Sequence, residues 1–267
     1  MREAERRPPH RSRLAVRALA AALVLLAASA AVLLDRALHY RAILEEQARQ
    51  RIFQGAWLRA PESLRQLGPG AVVFLGDSLF ENWNLGAAFG PRVVNLGRNG
   101  EKAAEVRERV GQALALAPRS VVLHAGLNDL DGAVLRGEPV APIVARITAE
   151  LRAAALEVRA AGAVPVLTTL LPVTSRFLLA HLAALPLPTP GRSDLARAAA
   201  AASASVRALA AELGVPLCDL EAVLRAPDGS RPRRFALPDG IHVSREGYAL
   251  LAAALRRALP HLEAPPR

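Results

Sequence analysis

A chain of 267 residues, 52% hydrophobic and 22% charged, is long enough for one well-buried domain plus a leader, and too apolar to be disordered throughout. Its formal charge of +10 is almost wholly arginine, Lys102 being the only lysine, but aromatics make up only 4% of the chain. No basic patch interleaved with stacking rings occurs, which excludes the usual nucleic-acid surface.

In chain order, residues 1–17 form a basic terminus with six arginines against Glu3 and Glu5. Ala18 to Leu34 follows as a run of 17 residues without charge, the short limit for a helix that spans a bilayer. The arginine excess in front of it predicts that this end stays in the cytoplasm and the rest of the chain lies outside. A cleaved signal peptide competes, because Ala28-Ser29-Ala30 resembles a cleavage site. The apolar run continues through Val32-Leu33-Leu34, which favours an uncleaved anchor. Residues 35–69 read as a stalk, with an amphipathic helix over Arg41 to Arg59 ended by Pro61.

From residue 70 to 260 the pattern is that of one α/β domain, followed by a short tail, 261–267. Five apolar runs read as buried strands: 71–75, 92–96, 120–124, 164–169 and 215–218. Alanine-rich helical stretches over about 101–117, 141–161, 194–213 and 244–258 separate or follow them. Such alternation implies a mainly parallel sheet with helices on both faces and an active site at the carboxyl ends of the strands. Cys218, the only cysteine, excludes an intramolecular disulfide and reads as a small core residue at a strand end.

The residues suited to chemistry sit just after these strands or before the last helix. Gly76-Asp77-Ser78-Leu79 follows the first strand. A serine there can project its hydroxyl into the crevice, although Asp77 or Ser78 can equally cap the next helix. Pro238-Asp239-Gly240-Ile241-His242 precedes the last helix. It supplies a histidine that can act as general base, and a nearby carboxylate that can fix its tautomer. Gly126-Leu127-Asn128-Asp129 offers a side-chain amide that can donate to a developing oxyanion. Asn95-Leu96-Gly97-Arg98-Asn99-Gly100 offers a backbone N–H that no Cβ shields. His124 reads as a packed or hydrogen-bonded core residue. The histidines show no metal-ligand spacing, and the P-loop and dinucleotide glycine patterns do not occur.

Taken in chain order, with Ser78 in the first, Gly97 in the second, Asn128 in the third and His242 in the fourth, these blocks, over about residues 70–258, resemble the SGNH hydrolases, also called GDSL esterases/lipases. The resemblance implies a three-layer α/β/α sandwich of the flavodoxin-like kind with a five-stranded parallel core. It implies that Ser78 attacks an acyl carbonyl, that His242 takes the proton and that Asp239 orients His242. Ser78 N–H, Gly97 N–H and the Asn128 amide would form the oxyanion hole. Neither cofactor nor metal is implied. The partners are an ester substrate, acylated glycan or lipid, and a membrane reached through the N-terminal helix; oligomeric state is left open.

Leu127 stands where the family more often has threonine, and Arg98 and Lys102 add positive charge near the second block. The stretch 176–192, with Phe177-Leu178-Leu179-Ala180, reads either as an acyl-binding flap or as a packed helical insertion. Acyl transfer to a sugar would use the same groups as hydrolysis. An inactive binding module on the same fold should have lost at least one of them.

Overall fold

The computed structural model describes residues 16–35, 37–38, 70–173, 192–227, 229–237, 240–260 and 262. The expected amphipathic helix over Arg41 to Arg59, the 176–191 part of the insertion, and Asp239 lie outside these residues. The chain divides into two units, Met1–Glu45 and Glu46–Arg267, and the division falls inside the expected stalk.

In the first unit, α1 (Val16–Asp35) is a continuous apolar helix whose long side chains are exposed. Twenty residues at 1.5 Å each give about 30 Å, the thickness of a bilayer's hydrocarbon core. The helix is therefore long and apolar enough to cross a membrane, and a signal sequence meets the same description.

In the second unit, five parallel strands run β1 (Val72–Gly76), β2 (Val93–Gly97), β3 (Ser120–His124), β4 (Val164–Thr168) and β5 (Leu217–Cys218), in the spatial order β2-β1-β3-β4-β5. Successive β1 side chains point to opposite faces, as strand geometry requires. Val73 and Leu75 enter one core, with α4 (Ala103–Glu108), α5 (Val110–Leu114), α6 (Leu127–Leu135), α7 (Val140–Ala160) and α8 (Arg192–Leu213). Val72 and Phe74 enter the other, with α2 (Ser78–Glu81), α3 (Leu85–Phe89), α9 (Leu220–Leu224) and α10 (Arg245–Ala258). The result is the expected three-layer sandwich. The strand order reverses direction at β1, so the loops leaving β1 and β3 splay apart and open a crevice between them.

Two expected elements differ. The helix over 101–117 is broken at Arg109, whose backbone leaves the helical region at φ −95° and ψ 4°. Its guanidinium, nearly buried, reaches Leu96 O at 2.8 Å and pairs with Glu101, so the break turns an arginine toward the strand ends. The fifth strand is only two residues long: Val215 N–H turns back to Ala210 O at 3.1 Å, and Pro216 gives the sheet only its carbonyl, to Leu167 N–H at 3.0 Å.

Polar bonds compensate for that short strand. Arg207 on α8 grips Asp219 with two bonds of 2.8 Å and buried Glu221 with one of 2.7 Å, and the Thr169 hydroxyl donates to Asp219 at 3.0 Å. Arg207→Ala should leave Glu221, 3% exposed, with only its 3.2 Å bond from Arg225. A loss of about 2–3 kcal/mol of stability is expected from the severed charge-assisted bonds, to be read as a lower urea midpoint at unchanged slope.

Candidate active site

The Ser78 turn is built by a helix that starts where β1 ends. Asp77 is its N-cap: the carboxylate accepts from Leu79 N–H at 2.9 Å and the main-chain carbonyl accepts from Phe80 and Glu81. Capping thus falls to Asp77 and leaves Ser78 on the first helical turn, half-buried, with its hydroxyl bonded to no described residue. Beneath it lies a nest of rings. Phe74, Phe80, Trp83, Phe89 and Tyr248, five of the chain's ten aromatics, pack with centroids 4.9–6.5 Å apart. Tyr248 on α10 donates its hydroxyl to Leu79 O at 2.9 Å, fastening the helix that follows His242 to the helix that carries Ser78.

Ser78 and His242 line one crevice, of about 300 Å³ counted out to solvent. Asp77 and His124 share its lining, and Leu79, Leu127, Leu171, Ile241, Val243 and Tyr248 make most of it apolar. Leu127, which departs from the family's threonine, is therefore part of the wall. Arg98 and Lys102 are not among the lining residues.

Gly97 has a packing role as well. Its N–H donates to Asn95 Oδ1 at 2.8 Å. A Cβ on Gly97 would lie 2.2 Å from Glu81 N and 2.7 Å from Phe80 C. The glycine is required because the end of β2 presses on the backbone of the Ser78 helix. Asn95 reinforces that contact by donating to Phe80 O and Trp83 O.

Asn128 and Asp129 reach across to the loop after β2. Asn128 Nδ2 donates to Glu101 O at 2.8 Å, and Asp129 Oδ2 accepts from Ala103 N–H at 2.9 Å, at the start of α4. Burial pushes the Asp129 carboxyl upward, and the bond from Ala103 pulls it back. The Glu101 side chain is held in turn by Arg109, which also contacts Gly76 O at 3.4 Å. Loops from three strands are thereby laced together.

His124 is buried as expected, but it also floors the crevice. Thr168 has a single hydroxyl hydrogen, given to Leu123 O at 3.0 Å, so it accepts from His124 Nδ1–H at 2.8 Å. Nε2 then faces Asp77 Oδ1 at 3.8 Å. Burial lowers the imidazole's pKa, and the Asp77 charge opposes that shift. Burial likewise pushes the Cys218 thiol up to about 12, in keeping with a core residue.

With this geometry in place, the comparisons fall into line. Residues 52–250 match the GDSL-like Lipase/Acylhydrolase family. The chain belongs to that family. Among solved structures it is similar to a GDSL-like lipase from Bacteroides thetaiotaomicron, with a TM-score of 0.58 and 19% identity over 79% of this chain and 96% of that one. It is also similar to an acetylxylan esterase from Geobacillus stearothermophilus, solved as a catalytic mutant, with a TM-score of 0.54 and 20% identity over 71% of this chain and 94% of that one. No curated protein matches the chain. As a GDSL-like acylhydrolase, the protein is an ester hydrolase.

Two outcomes test this framework. Gly97→Ala should destabilise the fold by about 1–3 kcal/mol and lower ester turnover, because the clash is with backbone. Gly86→Ala, whose Cβ would meet only Asn84 Oδ1 at 3.9 Å, should be neutral or slightly stabilising in the same denaturation assay. The second concerns His124. A folded pKa held below the unfolded value, about 6.5, gives stability that is present above that pH and lost as pH falls through it. The thermal midpoint should therefore drop more between pH 7.5 and 5 for the wild type than for His124→Gln.

Proposed function

We propose that the protein hydrolyses carboxylic esters through a Ser78–His242–Asp239 triad and an acyl-enzyme. The observation that carries this is the shared crevice of Ser78 and His242, at the strand end where the sheet reverses. His242 removes the hydroxyl proton as Ser78 Oγ attacks the acyl carbon. The tetrahedral oxyanion collapses, His242 returns the proton to the leaving alcohol, and water then repeats the sequence to release the acid. Asp239 fixes the tautomer of His242.

The oxyanion is received by Ser78 N–H and by the second N–H of the Asn128 amide, the first being bonded to Glu101 O. The third donor is Gly97 N–H, as the resemblance implies, once it turns from its 2.8 Å bond with Asn95 Oδ1. The ester is an O-acetyl group of an envelope glycan or an acyl ester of a lipid. The arginine-rich terminus stays in the cytoplasm and α1 anchors the hydrolase domain, residues 70–260, outside.

A fluorophosphonate probe should label Ser78 and no other residue, as read by peptide mass mapping. Ser78→Ala and His242→Ala should fold normally and lose on the order of 10⁴-fold or more in kcat on an aryl ester. Full activity in Ser78→Ala would refute the mechanism.

A further inference from the structure

The loop that carries His242 is thinly built. Ala236 and Val243 form a single antiparallel bridge, closed by Leu237 N–H to His242 O at 2.9 Å and Ser244 N–H to Phe235 O at 3.2 Å. Inside the bridge the chain turns, with Gly240 N–H donating to Leu237 O at 3.0 Å and Gly240 at φ +70°. A hairpin this short has no ladder to resist rocking of its tip. Its tip directly precedes the residue whose ring must stay within hydrogen-bond reach of the Ser78 hydroxyl.

A buried arginine grips that tip. Arg231 is 1% exposed, the largest fully buried side chain among the described residues. Its Nη2 donates to Gly240 O at 2.6 Å and to Ile241 O at 3.0 Å, the two carbonyls immediately ahead of His242. The arginine starts from a fixed point: Pro232 follows it at φ −55°, opening the 3-10 turn Arg233–Phe235, and Phe235 N–H closes on Pro232 O at 2.9 Å. Burying a guanidinium is expensive, and an apolar side chain would fill the same space at lower cost. What an apolar side chain lacks is a donor for two adjacent carbonyls. A guanidinium also keeps its charge at every pH at which an enzyme works, so the grip does not titrate.

We propose that Arg231 is a positioning residue for catalysis, a buried clamp that sets where His242 stands relative to Ser78. The proposal rests on His242 being the general base. Arg231 touches neither substrate nor reacting atoms and acts through the backbone of Gly240 and Ile241. Releasing it lets the hairpin tip shift, and a displacement of about 1 Å in a catalytic group is enough to cost on the order of 100-fold in rate. Substrate binding should be affected far less than kcat, since Leu79, Leu127 and Leu171 of the crevice wall lie on other elements and only Ile241 and Val243 move with the hairpin.

The test uses the full-length chain with Arg231→Ala and Arg231→Lys, and Ser78→Ala and His242→Ala as references. For Arg231→Ala, kcat should fall on the order of 100-fold at a KM within about twofold of wild type, and fluorophosphonate labelling of Ser78 should slow in parallel. Arg231→Lys keeps the charge and some donor capacity. It should fold where the alanine variant does not, and should regain part of the loss, to within about tenfold of wild-type kcat. Wild-type kcat in either folded variant overturns the proposal, as does a change in KM alone. If His242→Ala is itself fully active, the general-base reading fails before the clamp is in question.

Discussion

The site depends on one close approach: the end of β2 lies so near the backbone of the Ser78 helix that only glycine fits at position 97. β1 and β2 are neighbours in register, so the helix leaving β1 has to turn across the end of β2 at once. Asp77 starts that helix by capping it, and Gly97 provides the space in which it turns. Asn95 holds both sides of the contact, its amide nitrogen on Phe80 and Trp83 and its oxygen on Gly97. A serine placed this way needs no strained backbone of its own. Its position is inherited from the sheet, and the ring cluster below it, joined by Tyr248 from the last helix, stops the helix from sinking.

The loops around Ser78 are secured by polar contacts more than by packing. Asn128 and Asp129 are consecutive, yet one binds the carbonyl of Glu101 and the other the N–H of Ala103, so they straddle the end of the second-block loop. Arg109 holds the Glu101 side chain and the strand-end carbonyls of β1 and β2. On the opposite side Arg231 holds the carbonyls before His242. Buried guanidiniums bonded to main-chain carbonyls thus occur on both flanks of the crevice. The arginine-rich composition thus also serves the interior.

Much of this was legible in the sequence, for identifiable reasons. Strands buried on both faces read as continuous apolar runs, and β1 to β4 stand within a residue or so of where those runs lie. The long helices α7, α8 and α10 repeat their apolar stripe often enough to be recognised. Helices of four to nine residues, α2, α3, α6 and α9, carry too few turns for a stripe and went unread. The short β5 was overextended because Val215 and Pro216 look like strand residues to a composition rule, while Val215 N–H turns back to Ala210 O at 3.1 Å to close the end of α8. At the site, Ser78 and His242 were named from their blocks and meet in one crevice. Gly97 was read for its N–H alone: the need for close packing against the Ser78 helix looks the same in sequence and shows only once the strands are paired. Arg231 carried no local signal, being one arginine in a run of several, and its importance lies in the carbonyls it meets after the chain folds back.

Cys218 gives the domain a property of a different kind. It is the chain's sole thiol, it is buried in the second core, and its desolvation leaves almost no thiolate at neutral pH. The folded domain is therefore silent toward alkylating reagents and disulfide exchange. A single cysteine introduced at an exposed position, such as Leu156 on α7, would be the one reactive handle on the molecule. A spin label or fluorophore could then be attached without first removing the native thiol and without disturbing the core it fills.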